Sequence, residues 1–348
     1  MKSVWMEPFW KAPVMYRESI LPVSRGGALP ETKLLFLPEE ILCVESARLD
    51  RTYQQGRDFI LEGKTLRLTD SSTIPFVTDV ELYSPTYVPG DTMPKTDGDA
   101  VLYREGSFFH DRQTVVTYRY GSERWTGEIP ASARERLPKT FARLSNAEPL
   151  RLVLFGDSIS EGANCSGRTG VPPYLPVWGQ LIADELERVY GSQITFSNES
   201  VGGTTSQWGA DHAHLVAEKK PDLLLLAFGM NDGSGTGKGD GVRPEIFGRN
   251  IFSIMEQVRE INPDTEFILV STTLPNPETI FLGRQSEYYA ELEQIANNTA
   301  GTAAANMTAV HAELLKHKSF LDMTGNNINH PNDFLNRCYA QFVLGMLK

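Results

Sequence analysis

Leu152-Val153-Leu154-Phe155-Gly156-Asp157-Ser158-Ile159-Ser160-Glu161-Gly162 is an apolar run that stops abruptly at Gly-Asp-Ser. Four bulky apolar residues in succession, with no polar alternation, read as a strand buried on both faces, as in a parallel sheet. In such sheets the crevice outside the carboxyl ends of the strands is where ligands bind. A serine set there, between a glycine and a small loop, has the placement of a nucleophile. Taken alone, Gly-Asp-Ser is equally a turn whose serine caps a helix.

From Leu150 onward the same texture repeats. Strand-like runs at Leu150–Phe155, Ile194–Asn198, Leu223–Phe228 and Phe267–Ser271, with a weaker one near Met307–His311, alternate with helical stretches. These stretches are Val177–Tyr190, Ser206–Lys219, Pro244–Ile261, Gln285–Gly301 and Pro331–Leu347. The alternation predicts right-handed crossovers and a parallel sheet with helices on both faces. Residues 1–145 differ. Short β-favouring runs such as Thr65–Leu68, Thr78–Tyr83 and Thr114–Tyr120 are punctuated by Glu62-Gly63, Pro89-Gly90, Asp97-Gly98 and Tyr120-Gly121. That pattern predicts an antiparallel, jelly-roll-like β-sandwich, with Pro130–Asn146 as a connecting segment and a second domain over 146–348.

The 348 residues are 41% hydrophobic and 22% charged, with a formal net charge of −11 and no basic block. Phosphate neutralisation needs clustered Lys and Arg, so a nucleic-acid partner is not expected. No apolar run approaches the ~20 residues that span a bilayer, and the first ten residues lack a secretory apolar core. The three cysteines (Cys43, Cys165, Cys338) are far apart and without metal-ligand spacing. They read as reduced, packed thiols, and the expected location is cytoplasmic. Asp211-His212-Ala213-His214 would splay its two histidines about 200° apart on a helix, so no metal site is expected there.

Three further segments fall where the sheet would present its strand tips. Asn198-Glu199-Ser200-Val201-Gly202-Gly203 follows the second strand, and paired glycines let backbone N–H groups approach a ligand. Gly229-Met230-Asn231-Asp232 follows the third, where an amide side chain can donate to an oxyanion or simply close an Asx-turn. His330-Pro331-Asn332 precedes the last helix and leaves the histidine in a loop at its start, the best context for a general base among six histidines.

In this order and on these elements, the four blocks resemble the SGNH/GDSL hydrolase superfamily over roughly residues 150–348. The resemblance implies a flavodoxin-like α/β catalytic domain, Ser158 as nucleophile and His330 as general base and later acid. It implies an oxyanion hole made of the Ser158 and Gly203 backbone N–H groups and the Asn231 side-chain amide, with no metal or other cofactor. One departure stands out. The superfamily normally has Asp three residues before the histidine, and this chain has Asn327. An amide cannot stabilise imidazolium by charge, so the partner of His330 stays open between a backbone carbonyl, Asn327, Asp333 and Asp322.

A β-rich segment ahead of the hydrolase half resembles two-domain bacterial carbohydrate esterases, which implies O-acetyl ester hydrolysis on small acetylated oligosaccharides. Asn164 at the loop entrance and Trp208 just past Gly203 are the candidate substrate contacts, aromatic faces being suited to sugar rings. A short-chain lipase- or thioesterase-like enzyme, and a catalytically weakened carbohydrate-binding protein, are the alternatives. No membrane partner is expected, and a homo-oligomer is left open.

Overall fold

In the computed structural model, which describes residues 2–121, 123–234 and 241–348, the apolar runs form a five-stranded, all-parallel sheet. Its strands are β1 (Leu150–Gly156), β2 (Ile194–Asn198), β3 (Leu223–Ala227), β4 (Glu266–Val270) and β5 (Thr302–Ala305). They lie in the order β2-β1-β3-β4-β5, the flavodoxin-like arrangement. The order reverses direction between β1 and β3, and it is at the carboxyl ends of the strands flanking such a switch point that ligands bind in open α/β sheets.

Side chains alternate across this sheet and split into two cores. Leu152, Leu154, Leu223, Leu225, Ile268 and Val270 pack on one face, against helices Trp178–Tyr190 and Asp333–Met346. Val153, Phe155, Leu224, Leu226, Phe267 and Leu269 pack on the other, against Pro244–Ile261 and Tyr288–Asn298. Burial on both faces is why these strands read as continuous apolar runs.

The α/β sheet preceded by an all-β region is the predicted fold class, with local differences. The fifth strand is Thr302–Ala305, and Met307–His311 begins a helix, Met307–His317. Asn306 caps that helix by accepting from the Ala309 N–H at 3.0 Å. Three consecutive alanines carry no β-favouring signal, but Ala303 and Ala305 fit beneath the sheet's cover. Ser206–Lys219 is two short helices, Ser206–Asp211 and His214–Ala217. The last helix starts at Asp333, because Asn332 accepts from the Phe334 and Leu335 N–H groups. Within Pro130–Asn146 lies a helix, Pro138–Ser145, whose first-turn N–H groups at Lys139 and Thr140 donate to the Glu266 carboxylate of β4 at 3.0 and 2.7 Å.

Residues 14–120 hold three small sheets. Thr114–Tyr120 is the centre of one, between Val14–Ile20 and Pro38–Ser46. A second has five strands, antiparallel except for the Val23–Ser24 and Val77–Thr78 pair. The third places Ala100–Leu102 between Tyr83–Ser84 and Thr92–Pro94. The loop that leaves Ala100–Leu102 reaches the crevice of the parallel sheet.

The two regions share one core. Phe9, Trp10, Phe36 and Trp125 belong to the same apolar cluster as Phe334 and Phe342 of the last helix. Buried Arg337 donates to the carbonyls of Trp5, Tyr16 and Arg17, and buried Lys318 pairs with Glu18. Among the described residues no helix is long and apolar enough to cross a membrane.

Candidate active site

β1 delivers the chain to Gly156, where a Cβ would lie 2.3 Å from the Ala227 carbonyl oxygen and 2.6 Å from Ser160 Oγ. Only glycine lets the tips of β1 and β3 close. Asp157 then caps the short helix Ser158–Glu161, its Oδ1 accepting from the Ile159 N–H at 3.0 Å. Ser158 heads that helix, so its N–H is among those a helix leaves without an intrahelical acceptor. Its Oγ lies 2.9 Å from His330 Nε2.

The loops beside Ser158 are tied beneath it. Asn198 donates to the Ser160 carbonyl at 2.8 Å and accepts from the Ser200 N–H at 3.1 Å. Gly202 borders the serine: a Cβ there would sit 3.5 Å from Ser158 Cβ and 2.7 Å from Glu161 Oε2. Gly203 adopts φ +77°, a left-handed conformation that favours glycine. Asn231 lies in the one-turn helix Met230–Gly233 and spends one amide hydrogen on the Thr204 carbonyl at 2.8 Å.

Two buried carboxylates lock these blocks together. Asp157 also accepts from the Met230 N–H at 3.4 Å, and Asp232 accepts from the Ser206 N–H at 3.0 Å and from the Ser206 hydroxyl. Burial, and after it the charge of Asp232, pushes the Asp157 carboxyl up to about 7. Asp232 is pushed up by burial as well.

The far side of His330 is the main surprise. Its Nδ1 is 2.6 Å from Asn164 Oδ1, 3.0 Å from Asn326 Nδ2 and 3.4 Å from Glu105 Oε2. Asn164 donates to the Gly106 carbonyl at 3.0 Å, which points its oxygen at the ring. His330 therefore carries its proton on Nδ1 and donates it to Asn164, leaving Nε2 to accept from Ser158. Partial burial raises the Glu105 carboxyl, but contacts with His330, Tyr103 and Asn326 outweigh it and hold it at about 2.

None of the three side chains expected beside the imidazole bonds to it. Asn327, at φ +69°, donates to the Leu102 carbonyl at 2.9 Å, and its Oδ1 accepts from Asn276 at 3.1 Å. Asp333 turns to the Ser166 N–H at 2.8 Å, and Asp322 accepts from the Leu21 N–H at 2.7 Å. Asn164, expected at the substrate entrance, lies behind the histidine instead. The Trp208 ring stacks on His212 with centroids 4.3 Å apart and packs against Phe155, on the core face of its helix. Cys165 is buried, and burial pushes its thiol well up, so it offers no second nucleophile. Glu105 and Asn326 carried no sequence signal, because Arg-Glu-Gly and Asn-Asn are ordinary loop compositions.

A model of the GDSL-like lipase/acylhydrolase family matches residues 154–337, more than half of the chain. The chain belongs to the GDSL-like lipase/acylhydrolase family. An arylesterase of Vibrio mimicus is 28% identical over 111 residues, which are 32% of this chain and 49% of that protein. A GDSL-like esterase of Mycobacterium tuberculosis is 33% identical over 85 residues, 24% of this chain and 25% of that protein. The chain thus spans about half or less of the curated relatives it matches. Among solved structures, a two-domain esterase active on acetylated mannans, co-crystallized with mannopentaose, superposes with a TM-score of 0.50 at 21% identity. That match covers 64% of this chain and 55% of the other, and at such identity this GDSL family member shares a fold with it.

Proposed function

We propose that this protein is a serine esterase that removes acyl groups, acetyl foremost, from carbohydrate esters. The observation that carries the reading is the 2.9 Å contact between Ser158 Oγ and His330 Nε2, with the ring tautomer set by Asn164. As Ser158 Oγ attacks the acyl carbonyl carbon, His330 Nε2 takes its proton. The Ser158 and Gly203 N–H groups and the remaining Asn231 amide hydrogen receive the oxyanion. His330 returns the proton to the departing sugar oxygen. A water, deprotonated by the same nitrogen, then releases the acid and restores the serine. Asn327 weighs little against activity in this reading, since other groups hold the ring.

The carbohydrate assignment rests on two lesser supports. The rim beside Ser158 carries the Arg168–Glu161 ion pair at 2.6 Å, which suits hydroxyl-rich ligands better than an acyl chain. The fold is also that of an esterase active on acetylated mannans. In this reading residues 1–145 are an accessory all-β domain and 146–348 the catalytic one.

Two assays test the proposal. Ser158→Ala should lower kcat by about 10⁴-fold or more; retained turnover would overturn the assignment. Acetyl esters of p-nitrophenol should be hydrolysed faster than octanoyl esters, and the reverse order would point to a lipase-like enzyme.

A further inference from the structure

We propose that Glu105, contributed by the all-β part of the chain, is the carboxylate that supports His330, supplying the charge that Asn327 lacks. The proposal rests on the Ser158–His330 reading and deepens it. In most serine hydrolases one acid both orients the histidine and stabilises its charged form. Here the two tasks are divided between residues.

Orientation belongs to Asn164, whose oxygen accepts the Nδ1 hydrogen. Charge belongs to Glu105, and counting hydrogens shows why its second oxygen is left for the ring. Asn326 Oδ1 accepts from the Ile328, Asn329 and His330 N–H groups at 2.9, 3.0 and 3.1 Å, which fixes its amide orientation. Its two amide hydrogens then meet two acceptors, Glu105 Oε1 and Asn329 Oδ1, both at 3.1 Å. The Tyr103 hydroxyl donates to the same Glu105 oxygen at 2.7 Å. Glu105 Oε2 remains, 3.4 Å from His330 Nδ1. Its neighbour Gly106 supplies the carbonyl that aims Asn164, so a single loop sets both the tautomer and the charge.

The other ionisable groups around the site are committed elsewhere. Asp157 lies under the serine on the Ile159 and Met230 N–H groups, and Glu161 pairs with Arg168. Asp333, on the histidine's own segment, is bound to Ser166, and Arg104 pairs with Asp91 at 2.7 Å. Among the described residues, Glu105 is the acid within ion-pair distance of the His330 ring.

A nearby carboxylate favours imidazolium, so removing it lets neutral histidine persist to lower pH. The test is kcat/KM against pH with p-nitrophenyl acetate for wild type, Glu105→Gln, Glu105→Ala and Glu105→Asp. Both neutral variants should lose roughly 10- to 100-fold, mainly in kcat, and their acidic limb should move down by about half to one pH unit. Glu105→Asp should keep most of the rate and the wild-type limb. Unfolding midpoints serve as the control for folding. An unmoved limb with an unchanged rate in both neutral variants, or a loss confined to KM, overturns the proposal. If wild type hydrolyses acetyl esters and Ser158→Ala does not, that failure concerns Glu105 alone. A wild type without esterase activity overturns both readings.

Discussion

In the parallel sheet, β3 and β4 bury every residue, whereas Pro38–Ser46 in the all-β half buries only Val44 of its nine. The first kind of strand is covered on both faces by its own half. The second is left largely open, and it is the aromatic residues ahead of the first strand of its half that pack against the last helix of the chain. Phe9 stacks on Phe334 with centroids 6.5 Å apart, and Trp10 meets Phe342 at 6.3 Å. The difference teaches that, in the proposed reading, the parallel-sheet half supplies the nucleophile and the oxyanion donors, while the all-β half is tied into its core and reaches His330.

Cutting the chain at this seam is the severest way to break that comparison. A fragment of residues 146–348 would leave Lys318 without Glu18 and Arg337 without the Trp5, Tyr16 and Arg17 carbonyls. Lys318 would keep Asp322 at 3.7 Å and both cations would be opened to water, so the larger loss is apolar. Phe334 and Phe342 lose Phe9 and Trp10, and at about 1.5–3 kcal/mol per large side chain uncovered such losses consume much of a typical domain's stability of about 5–15 kcal/mol. The fragment should fail to give a cooperative unfolding transition by circular dichroism. A transition matching the full chain would show that the halves are energetically separate.

Next in size is a test confined to the hydrolase half. Asn231→Ala should lower kcat by about 10²- to 10³-fold, the usual cost of one oxyanion donor, while leaving the unfolding midpoint near wild type. A loss below tenfold would mean that its amide, already bonded to Thr204, does not reach the oxyanion.

The same contrast explains what could be read from the sequence. The parallel sheet and the blocks at its strand tips were legible, because a strand buried on both faces, Leu152–Phe155 above all, leaves a local and continuous signature. Thr302–Ala305 was missed because alanine carries no strand signal; the edge position and the Asn306 cap decide it. Glu105 was illegible for a different reason. It meets His330 across 225 positions of chain, through a turn whose composition says nothing about its destination. Asn164 is legible as a polar residue near the site, but the sequence does not show which side of the histidine it occupies, and the structure sets it against Nδ1.

The last contrast concerns the two carboxylates that the halves bring to the site, whose environments push them apart. Glu105 is held at about 2 and stays ionised over any working pH, so its support for His330 does not titrate away above pH ~3. Asp157 is pushed the other way, to about 7, by burial and by Asp232. Its folded-state value lies above the ~3.9 of an exposed aspartate, so folding favours its protonated form. That contribution is fully present only well below the unfolded value, at about pH 3 and under, where both states are protonated. It is lost as pH rises through about 7, because the unfolded chain ionises first and gains the advantage. At ~1.4 kcal/mol per unit the swing is a few kcal/mol. Asp157→Asn keeps an acceptor for the Ile159 N–H and does not titrate, so wild type should lose stability relative to it between pH 4 and 8. Denaturant unfolding of both proteins across that range measures the difference. A difference flat in pH would mean that Asp157 is ionised in the folded state throughout, and that the floor of the site is wetter and more permissive of charge than its burial implies.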